Sequence, residues 1–370
     1  MTRNLASVQK ILAIDPIPNA DMIEKATVLG WEVVVAKKDN FQVGDLVVYI
    51  EIDSIVPDKP EFEFLRDRKF RVRTIKLRKQ VSQGLIMPLS ILKGKNYKEG
   101  QDVTKEIGVI KYDPQGDKER RLAEEQANRT KSRIKRFMSR YPWYRRLFMP
   151  KQAKKNWPKF IKKTDEDRIQ LFPHICEQYA DTEFIVTEKL DGQSGTYFLL
   201  RKPKHKFLWW EFGSEFVFGV CSRNLLRAKE DNSSYWTIAK QYGIRSILEQ
   251  LIGNTKFVAI QGEIIGIGIQ GNKYKLQGYD FYAFNLIFEN ATIPDNGMRY
   301  MLNPYNLKSV PLLDDKFRLL STIPEMVEYS KGKSTLSPIL REGVVVRNYE
   351  KPISFKIVNP DFLLKFGEDE

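Results

Sequence analysis

The chain has 370 residues, of which 42% are hydrophobic, so it can bury a sizeable core and is long enough for two domains. No apolar run approaches the length of a membrane span and no signal peptide precedes the first strand-like segment, which predicts a cytoplasmic protein. Cys176 and Cys221 match neither a disulfide framework nor a zinc spacing, and the presence of only two histidines, His174 and His205, argues against a His-based metal site or catalytic triad. Any catalyst in this chain has to be built from Lys, Arg, Asp and Glu.

The net charge of +14 is concentrated in one stretch of the chain. Residues 118–163 hold 17 Lys and Arg residues against three Glu, whereas basic and acidic residues are equal in number over the rest of the sequence. A charge excess confined to one segment predicts that this segment meets a polyanion, rather than that the protein as a whole is basic.

Residues 5–112 read as β structure with the strand spacing of a small barrel. Short apolar runs separated by turn residues lie at 8–14, 25–29, 32–36, 45–50, 71–75 and 84–87. Five or six such strands predict an OB-type barrel. The strings Pro-Asn-Ala-Asp at 18–21 and Gly-Asp-Leu-Val at 44–47 also resemble OB modules that bind tRNA or nicked nucleic acid.

A dense group of cations accompanies the later strands of this barrel. A barrel face that carries them could bind phosphates, although basic residues are also ordinary protection for a solvated edge strand. The group comprises Arg66, Arg68, Lys69, Arg71, Arg73, Lys76, Arg78 and Lys79.

The basic stretch at 118–163 changes to helix formers, and Pro142 and Pro150 prevent a single long helix there. Aromatic residues interleave with its cations, the mixture expected where phosphates are held and bases stack. Two other interpretations stay open, a small helical hairpin packed on its neighbours and a basic amphipathic membrane helix. The aromatics are Phe137, Tyr141, Trp143, Tyr144, Phe148, Trp157 and Phe160.

Residues 188–192 form the pentapeptide Glu-Lys-Leu-Asp-Gly at a predicted turn between two strands. A lysine amine in a cleft can attack the α-phosphorus of a nucleoside triphosphate, provided that cations lower its pKa from about 10.4 and a carboxylate holds a metal. Lys189 is therefore a candidate nucleophile and Asp191 a candidate metal ligand, and Gly192 lets backbone approach a ligand closely. A surface hairpin turn is the other interpretation of these residues.

Further polar residues follow or interrupt apolar runs in the region 164–370. Arg223 could reach a phosphate or ribose, or lie on the surface. Glu263 ends a buried-type strand, and Glu342 precedes another. Lys356 lies within an apolar strand, where its burial costs free energy unless an anion such as bound phosphate pairs with it.

A dinucleotide-binding fingerprint, Gly-x-Gly-x-x-Gly at 266–271, is rejected because a strand at 279–286 follows it instead of a helix. In that strand Phe281 faces one way and Phe284 the other, and one such ring could stack on a purine, although most strand aromatics pack in a core. Residues 164–170 read as a helix start with Thr164 as its N-cap.

These segments, in this order, resemble the motifs of the covalent nucleotidyltransferase superfamily of ATP-dependent ligases and capping enzymes. Residues 164–170 and the run from Gly262 to Gln270 are most similar to RNA ligases, although Ser354 stands where some of them have a second lysine. Only 14 residues follow Lys356, which leaves no room for the C-terminal OB domain of DNA ligases. The corresponding strings are Lys189-Leu190-Asp191-Gly192 for motif I, Ser222-Arg223-Asn224 for Ia, Gly262-Glu263 for III, Asp280 to Asn285 for IIIa, Glu342-Gly343 for IV and Phe355-Lys356 for V.

An OB module at the N-terminus resembles the nick-sealing branch usually counted as the fifth RNA ligase family. The resemblance implies an α+β protein with an N-terminal OB-type β-barrel at 1–112. The residue pattern adds a basic helical linker or insertion at 113–163, which the resemblance does not cover. A nucleotidyltransferase domain of antiparallel sheets with flanking helices would follow at 164–370. The cleft and the grip on the duplex would then lie in separate domains.

The resemblance also implies a three-step reaction. Lys189 would take AMP from ATP, AMP would pass to a 5′-phosphate end, and a 3′-hydroxyl would attack and release AMP. Lys356 would lower the pKa of the nucleophile and hold the α-phosphate. Asp191, Glu263 and Glu342 would bind Mg²⁺ or Mn²⁺, and Arg223 would contact ribose or phosphate. Phe284 would stack on one face of adenine and Val345 would cover the other face. The Glu188 backbone would hydrogen-bond to the adenine amine.

The implied partner is nicked duplex RNA or an RNA/DNA hybrid with RNA as the 3′-hydroxyl strand. The protein is expected to act as a monomer and not to bind a membrane. Two alternatives stay open. A nucleic-acid-binding protein with an inactive ligase domain is opposed by the intact lysine and three carboxylates, and a DNA ligase is disfavoured by the domain order.

Overall fold

The computed structural model describes residues 4–94, 96–113, 157–207, 210–227, 230–289, 291–351 and 353–367. The predicted helical linker therefore lies almost wholly outside the described residues, and the proposed boundaries at 112 and 163 stay predictions. No helix in these ranges is both long and apolar enough to cross a lipid bilayer.

The N-terminal part is an OB fold built from antiparallel strands, as the sequence predicts. A five-stranded sheet has the order β3-β2-β1-β4-β9, a three-stranded sheet the order β10-β5-β6, and β7 pairs with β8. The predicted strand at 71–75 is divided between β6 and β7. The elements are β1 (Ala6–Pro16), β2 (Ile23–Val28), β3 (Trp31–Ala36), β4 (Leu46–Ile50), β5 (Ser54–Ile55), β6 (Arg71–Val72), β7 (Ile75–Leu77), β8 (Gln80–Ser82), β9 (Leu85–Pro88), α1 (Thr104–Ile107) and β10 (Ile110–Lys111), with 3₁₀ turns at Lys37–Asp39, Pro60–Arg68 and Leu89–Ile91.

The C-terminal part contains two larger sheets with flanking helices, which agrees with the predicted α+β class. One sheet has the order β11-β23-β22-β12-β21 and the other β17-β16-β13-β18-β19-β20, while β14 and β15 form a separate hairpin. Among the strands described in this part of the chain, β11 pairs in parallel with β23 and the other pairings are antiparallel. The strands are β11 (Asp167–Arg168), β12 (Glu183–Lys189), β13 (Gln193–Lys202), β14 (His205–Phe207), β15 (Trp210–Phe212), β16 (Glu215–Cys221), β17 (Leu226–Arg227), β18 (Phe257–Gly266), β19 (Tyr279–Phe288), β20 (Ala291–Thr292), β21 (Leu312–Arg318), β22 (Gly343–Asn348) and β23 (Ile353–Val358).

Helices cover both sheets on their outer sides. The helices are α2 (Ile175–Gln178), α3 (Ser234–Gln241), α4 (Ile244–Leu251), α5 (Asp295–Leu302), α6 (Ile323–Tyr329) and α7 (Pro360–Phe366), with 3₁₀ turns at Ile169–Leu171, Gln270–Asn272 and Asn303–Tyr305. Residues of α3, α4 and α5 share a core with the six-stranded sheet, and residues of α2 and α6 share a second core with the five-stranded sheet. The chain passes from one sheet to the other at residues 190–192, directly after Lys189.

The helix predicted at 164–170 is wrong. Residues 164–166 have no regular structure, residues 167–168 form β11, and a 3₁₀ turn follows. Long-range partners override the local capping signal: the Thr164 and Ser194 hydroxyls hydrogen-bond at 2.9 Å, β11 pairs in parallel with β23, and Arg168 Nη2 donates to Asp53 Oδ2 at 3.0 Å. Because Asp53 belongs to the OB fold, this last contact joins the two parts of the chain.

Candidate active site

Lys189 lies beside a carboxylate because the two strands that carry them are neighbours. β12 and β22 pair antiparallel with Lys189 opposite Gly343, and Glu342 precedes Gly343. The Lys189 Nζ atom is consequently 2.5 Å from Glu342 Oε2. The predicted turn between two strands is confirmed, and the lysine projects into a cleft between the sheets instead of onto the surface.

All nine residues assigned by the sequence line this one cleft. They come from both sheets, which explains why residues far apart in the chain share it. They are Lys189, Lys356, Glu188, Arg223, Phe284, Val345, Asp191, Glu263 and Glu342. Their proximity agrees with the motif assignment, whereas the role of each residue stays a prediction.

The carboxylates in the cleft repel one another. Burial, together with the charges of Glu342 and Asp191, raises the pKa of Glu263 to about 8. Burial and Glu342 likewise raise the pKa of Asp191 to about 7. Burial lowers the pKa of Lys189, but Glu342, Glu263 and Asp191 outweigh burial and leave that pKa above its ordinary value. The free site therefore holds a protonated lysine among carboxylates. A bound cation would reduce the repulsion between those carboxylates.

The chemistry of these carboxylates fits a hard divalent cation such as Mg²⁺ or Mn²⁺, because each offers oxygen ligands. Within the described ranges, however, no three or more Asp, Glu, His or Cys side chains are gathered closely enough to hold a metal as they stand. Lysines occupy two of the carboxylates instead: Glu342 contacts Lys189, and Asp191 Oδ2 accepts a hydrogen bond from Lys273 Nζ at 2.7 Å. A metal would have to compete with these lysines.

Lys273 is a site residue that the sequence analysis missed. Its side chain is 11% exposed and that of Asp191 is 8% exposed, so they form a buried ion pair. Lys273 Nζ also donates to the Gln270 carbonyl at 3.0 Å and lies 5.6 Å and 5.3 Å from the ring centroids of Phe362 and Phe366 in α7. Lys273 follows the rejected dinucleotide fingerprint, whose glycines form the loop that brings it back to the cleft.

The opposite side of the cleft carries cations around Asp165, a second residue that the sequence analysis missed. Both oxygens of Asp165 accept from Arg223 Nη2 at 2.9 Å, and Oδ1 also accepts from Lys356 Nζ at 3.2 Å. Lys111 Nζ, from β10 of the OB fold, donates to Oδ2 at 3.4 Å. Although burial opposes it, these three cations lower the pKa of Asp165 far below its usual range. A carboxylate thus fills the position where the sequence analysis expects a phosphate.

Glu188, Phe284 and Val345 line the remaining end of the cleft. Oε2 of Glu188 accepts from the Thr335 backbone amide at 2.9 Å and from its hydroxyl at 2.7 Å. Oε1 is buried and has no hydrogen-bond partner among the described residues. Phe281 and Phe284 face opposite sides of β19, as the sequence predicts: Phe281 packs in the core under the helices, and Phe284 faces the cleft. This end combines an aromatic face with an unpaired acceptor.

Two family models match the chain, and so do solved structures. A model described as an OB-fold domain matches residues 5–89, and the RNA ligase model matches residues 182–365. The apo form of an aspartate-to-alanine mutant of the Naegleria gruberi RNA ligase has a TM-score of 0.77 at 29% identity, over 100% of this chain and 99% of that chain. No curated protein sequence matches the chain.

Further structures of the Naegleria gruberi enzyme match to a similar extent. A glutamate-to-alanine mutant with AMP and Mn has a TM-score of 0.75 at 30% identity, over 98% of each chain. A lysine-to-alanine mutant with ATP and Mn has a TM-score of 0.75 at 29% identity, over 99% of this chain and 98% of that chain. The two family models and the whole-length structural match agree: the chain belongs to the RNA ligase family and is a polynucleotide ligase with an N-terminal OB domain.

Proposed function

We propose that this protein is an ATP-dependent RNA ligase that joins a 3′-hydroxyl end to a 5′-phosphate end through a lysyl-AMP intermediate. The observation that carries the proposal is the position of Lys189, which lies in a cleft with three carboxylates and with the cations Lys356 and Arg223. Structures of the Naegleria gruberi enzyme with ATP and Mn and with AMP and Mn support ATP and a divalent metal as reactants here.

In the first step the Lys189 amine attacks the α-phosphorus of ATP. A P–N bond forms, the bond to the bridging oxygen of pyrophosphate breaks, and the amine loses a proton. Glu342 Oε2, 2.5 Å from Nζ, is positioned to accept that proton. Lys356 and Arg223 offset negative charge on the phosphate. A divalent metal held by Asp191, Glu263 and Glu342 would supply further charge stabilisation.

In the second step a 5′-phosphate oxygen attacks the same phosphorus and the P–N bond breaks, which returns the amine to Lys189. In the third step a 3′-hydroxyl attacks the 5′-phosphorus and AMP leaves. A nicked duplex of RNA, or of RNA and DNA, presents both ends side by side and is the substrate that we infer. We also infer that the protein acts as a monomer.

The end of the cleft that we assign to adenine favours a purine with an amine rather than a carbonyl at C6. Phe284 and Val345 offer the faces between which a base can stack. The unpartnered Oε1 of Glu188 would accept a hydrogen bond from the adenine amine, whereas the carbonyl oxygen of guanine would leave two acceptors facing each other. GTP should therefore be a poor donor, and Glu188→Gln, whose amide can donate, should narrow the difference between ATP and GTP.

Cations of the OB domain would contact the phosphates of the duplex. Arg68 and Lys76 line a cleft between the OB fold and α7, together with Arg71 and Arg73 from the predicted cationic face. Arg66 is instead paired with Asp58 and Glu63 at 2.8 Å and 2.6 Å. Nicked-duplex binding should weaken with salt by about 0.7 to 0.9 log units per phosphate contact per decade. Replacing Arg68 and Lys76 with Gln should flatten that slope, and an unchanged slope would remove this cleft from the interface.

The covalent adduct tests the proposal directly. Incubation with labelled ATP and Mg²⁺ should label the parent protein, and the adduct should be labile to acid, stable to alkali and map to Lys189, as a lysyl-AMP phosphoramidate requires. Lys189→Ala and Lys189→Arg should both abolish the label, because guanidinium stays protonated and cannot attack. Lys256→Arg, at an exposed position outside the cleft, is the control and should be labelled normally. A parent without adduct would favour an inactive ligase domain, and an adduct in either variant would place the nucleophile elsewhere.

A further inference from the structure

Asp165 joins three cations that arrive from different parts of the molecule. Lys356 lies in β23, Arg223 follows β16, and Lys111 lies in β10 of the OB domain. Lys111 is anchored there by its own strand, since β10 pairs with β5 and the Tyr112 amide donates to the Asp53 carbonyl at 2.8 Å. One carboxylate thus links the OB domain to two cations of the nucleotide cleft.

Three cations contact this one carboxylate, and Asp113 and Glu263 also act electrostatically on Arg223. Lys356 and Arg223 are the cations that the proposed function assigns to phosphate, so Asp165 and an incoming phosphate compete for the same donors. The Asp165 side chain is 43% exposed and is held mainly by its hydrogen bonds to the cations, whereas that of Lys356 is only 14% exposed. Of these two groups, Asp165 is the one that can move.

We propose that Lys111 is a positioning residue of the active site: it retains the Asp165 carboxylate when a phosphate of ATP displaces that carboxylate from Lys356 and Arg223. This inference rests on the proposed function. Without Lys111, displacement removes the last of the cations that contact Asp165 among the described residues and leaves Asp165 beside a phosphate of like charge. With Lys111, the carboxylate keeps one partner, so the ligand-bound arrangement costs less. The OB domain thereby contributes to nucleotide affinity without contacting ATP.

A double-mutant cycle between Lys111 and Asp165 tests this coupling. The measured quantities are the half-saturating ATP concentration and the maximal rate of lysyl-AMP formation for the parent, Lys111→Gln, Asp165→Asn and the double variant. A half-exposed ion pair is worth about 0.4 to 1 kcal/mol, so Lys111→Gln should raise the half-saturating concentration about twofold to fivefold with little change in maximal rate. Asp165→Asn should not raise it, because the competitor is removed.

In the Asp165→Asn background, Lys111→Gln should have no further effect. An effect of equal size in both backgrounds would overturn the proposal, since Lys111 would then act on ATP or on domain docking without Asp165. A higher half-saturating concentration in Asp165→Asn would also overturn it, because the carboxylate would be needed to hold its neighbours. Asp165→Ser provides a second test if the Asn variant is poorly folded.

Lys10→Gln is the matched control. It removes one OB-domain lysine from an ion pair with Glu99 at 3.7 Å whose side chains are 47% and 50% exposed. It should leave the half-saturating ATP concentration unchanged. The experiment distinguishes failure of the proposed function from failure of this inference. If the proposed function is wrong, the parent protein forms no lysyl-AMP. If only the coupling between Lys111 and Asp165 is wrong, the parent protein still forms lysyl-AMP.

Discussion

Replacing Lys273 with Met should destabilise the protein strongly, because it removes the partner of a buried carboxylate. Lys273 Nζ and Asp191 Oδ2 are 2.7 Å apart, and the side chains are 11% and 8% exposed. Breaking such a pair by removing one partner costs about 3 to 5 kcal/mol. We expect a loss of that size in the free energy of unfolding, measured by urea titration with circular dichroism in the presence of EDTA.

The loss should grow with pH. Asp191 has a pKa of about 7 in the folded protein against an ordinary value of 3.8, and Lys273 holds that pKa down. Without Lys273 the pKa rises further, so above pH 7 the folded variant retains a proton that its unfolded chain has lost, and its stability falls as pH rises. The difference between parent and variant should therefore widen above pH 7, by up to about 1.4 kcal/mol per pH unit.

Lys308→Met is the matched control for this experiment. Lys308 Nζ lies 2.6 Å from Asp280 Oδ2, but its side chain is 50% exposed and that of Asp280 is 13% exposed. Such a pair contributes about 0 to 1 kcal/mol, and its loss should show no comparable pH trend. Equal losses in the two variants, or a Lys273→Met loss that does not change between pH 6 and pH 9, would refute the argument that burial makes this pair important.

Two shorter predictions concern the nucleophile and the turn after it. Glu342→Gln removes the carboxylate closest to Lys189 and should lower the pKa of Lys189. The pH at which an amine reagent half-maximally labels Lys189 should therefore fall. An unchanged labelling profile would contradict the role of Glu342 in raising that pKa. Gly192→Ala would place a Cβ 2.4 Å from the Ile264 carbonyl oxygen, and overpacking of this kind costs about 1 to 3 kcal/mol, measured by urea unfolding. A fully stable variant would mean that the turn shifts freely.

Sequence reasoning selected nine residues that share one cleft because each lies in a short motif whose local pattern carries information, whereas the role of each stays a prediction. The turn after Lys189 and the alternation of Phe281 and Phe284 in β19 are examples. Local pattern could not reveal Lys273 or Asp165, whose partners are distant in the chain. Lys273 bonds to Asp191 82 residues away, and Asp165 bonds to Lys356 191 residues away. Only the sheet topology brings these pairs together.

The same limit explains the misassigned helix at 164–170. Thr164 followed by acidic residues is a sound capping signal, but Asp165 and Arg168 are engaged by the OB domain through Lys111 and Asp53. Neither partner can be inferred from the local sequence, since they lie 54 and 115 residues away. Tertiary ion pairs and pairing with β23 therefore outweigh a preference that is small for any single residue.

These contacts between the OB domain and the segment before β12 change the effect on adenylylation that we expect from deleting the OB domain. Separate domains predict that removing residues 1–112 leaves adenylylation largely intact. However, Arg168 is only 6% exposed and bonds to Asp53, Gly30 of the OB domain donates to the Gln170 carbonyl at 2.9 Å, and Lys111 contacts Asp165. Deletion would expose this surface and release the segment that leads to β12.

We therefore expect the deletion variant to lose adenylylation as well as sealing. The point variant Asp53→Asn, which keeps the OB domain but weakens its bond to Arg168, should lose a smaller part of the same activity. Both are measured as lysyl-AMP formed at saturating ATP, with circular dichroism as the check on folding. If the deletion variant forms lysyl-AMP at the parental rate, the segment before β12 holds its position without the OB domain, and the domain serves the RNA alone.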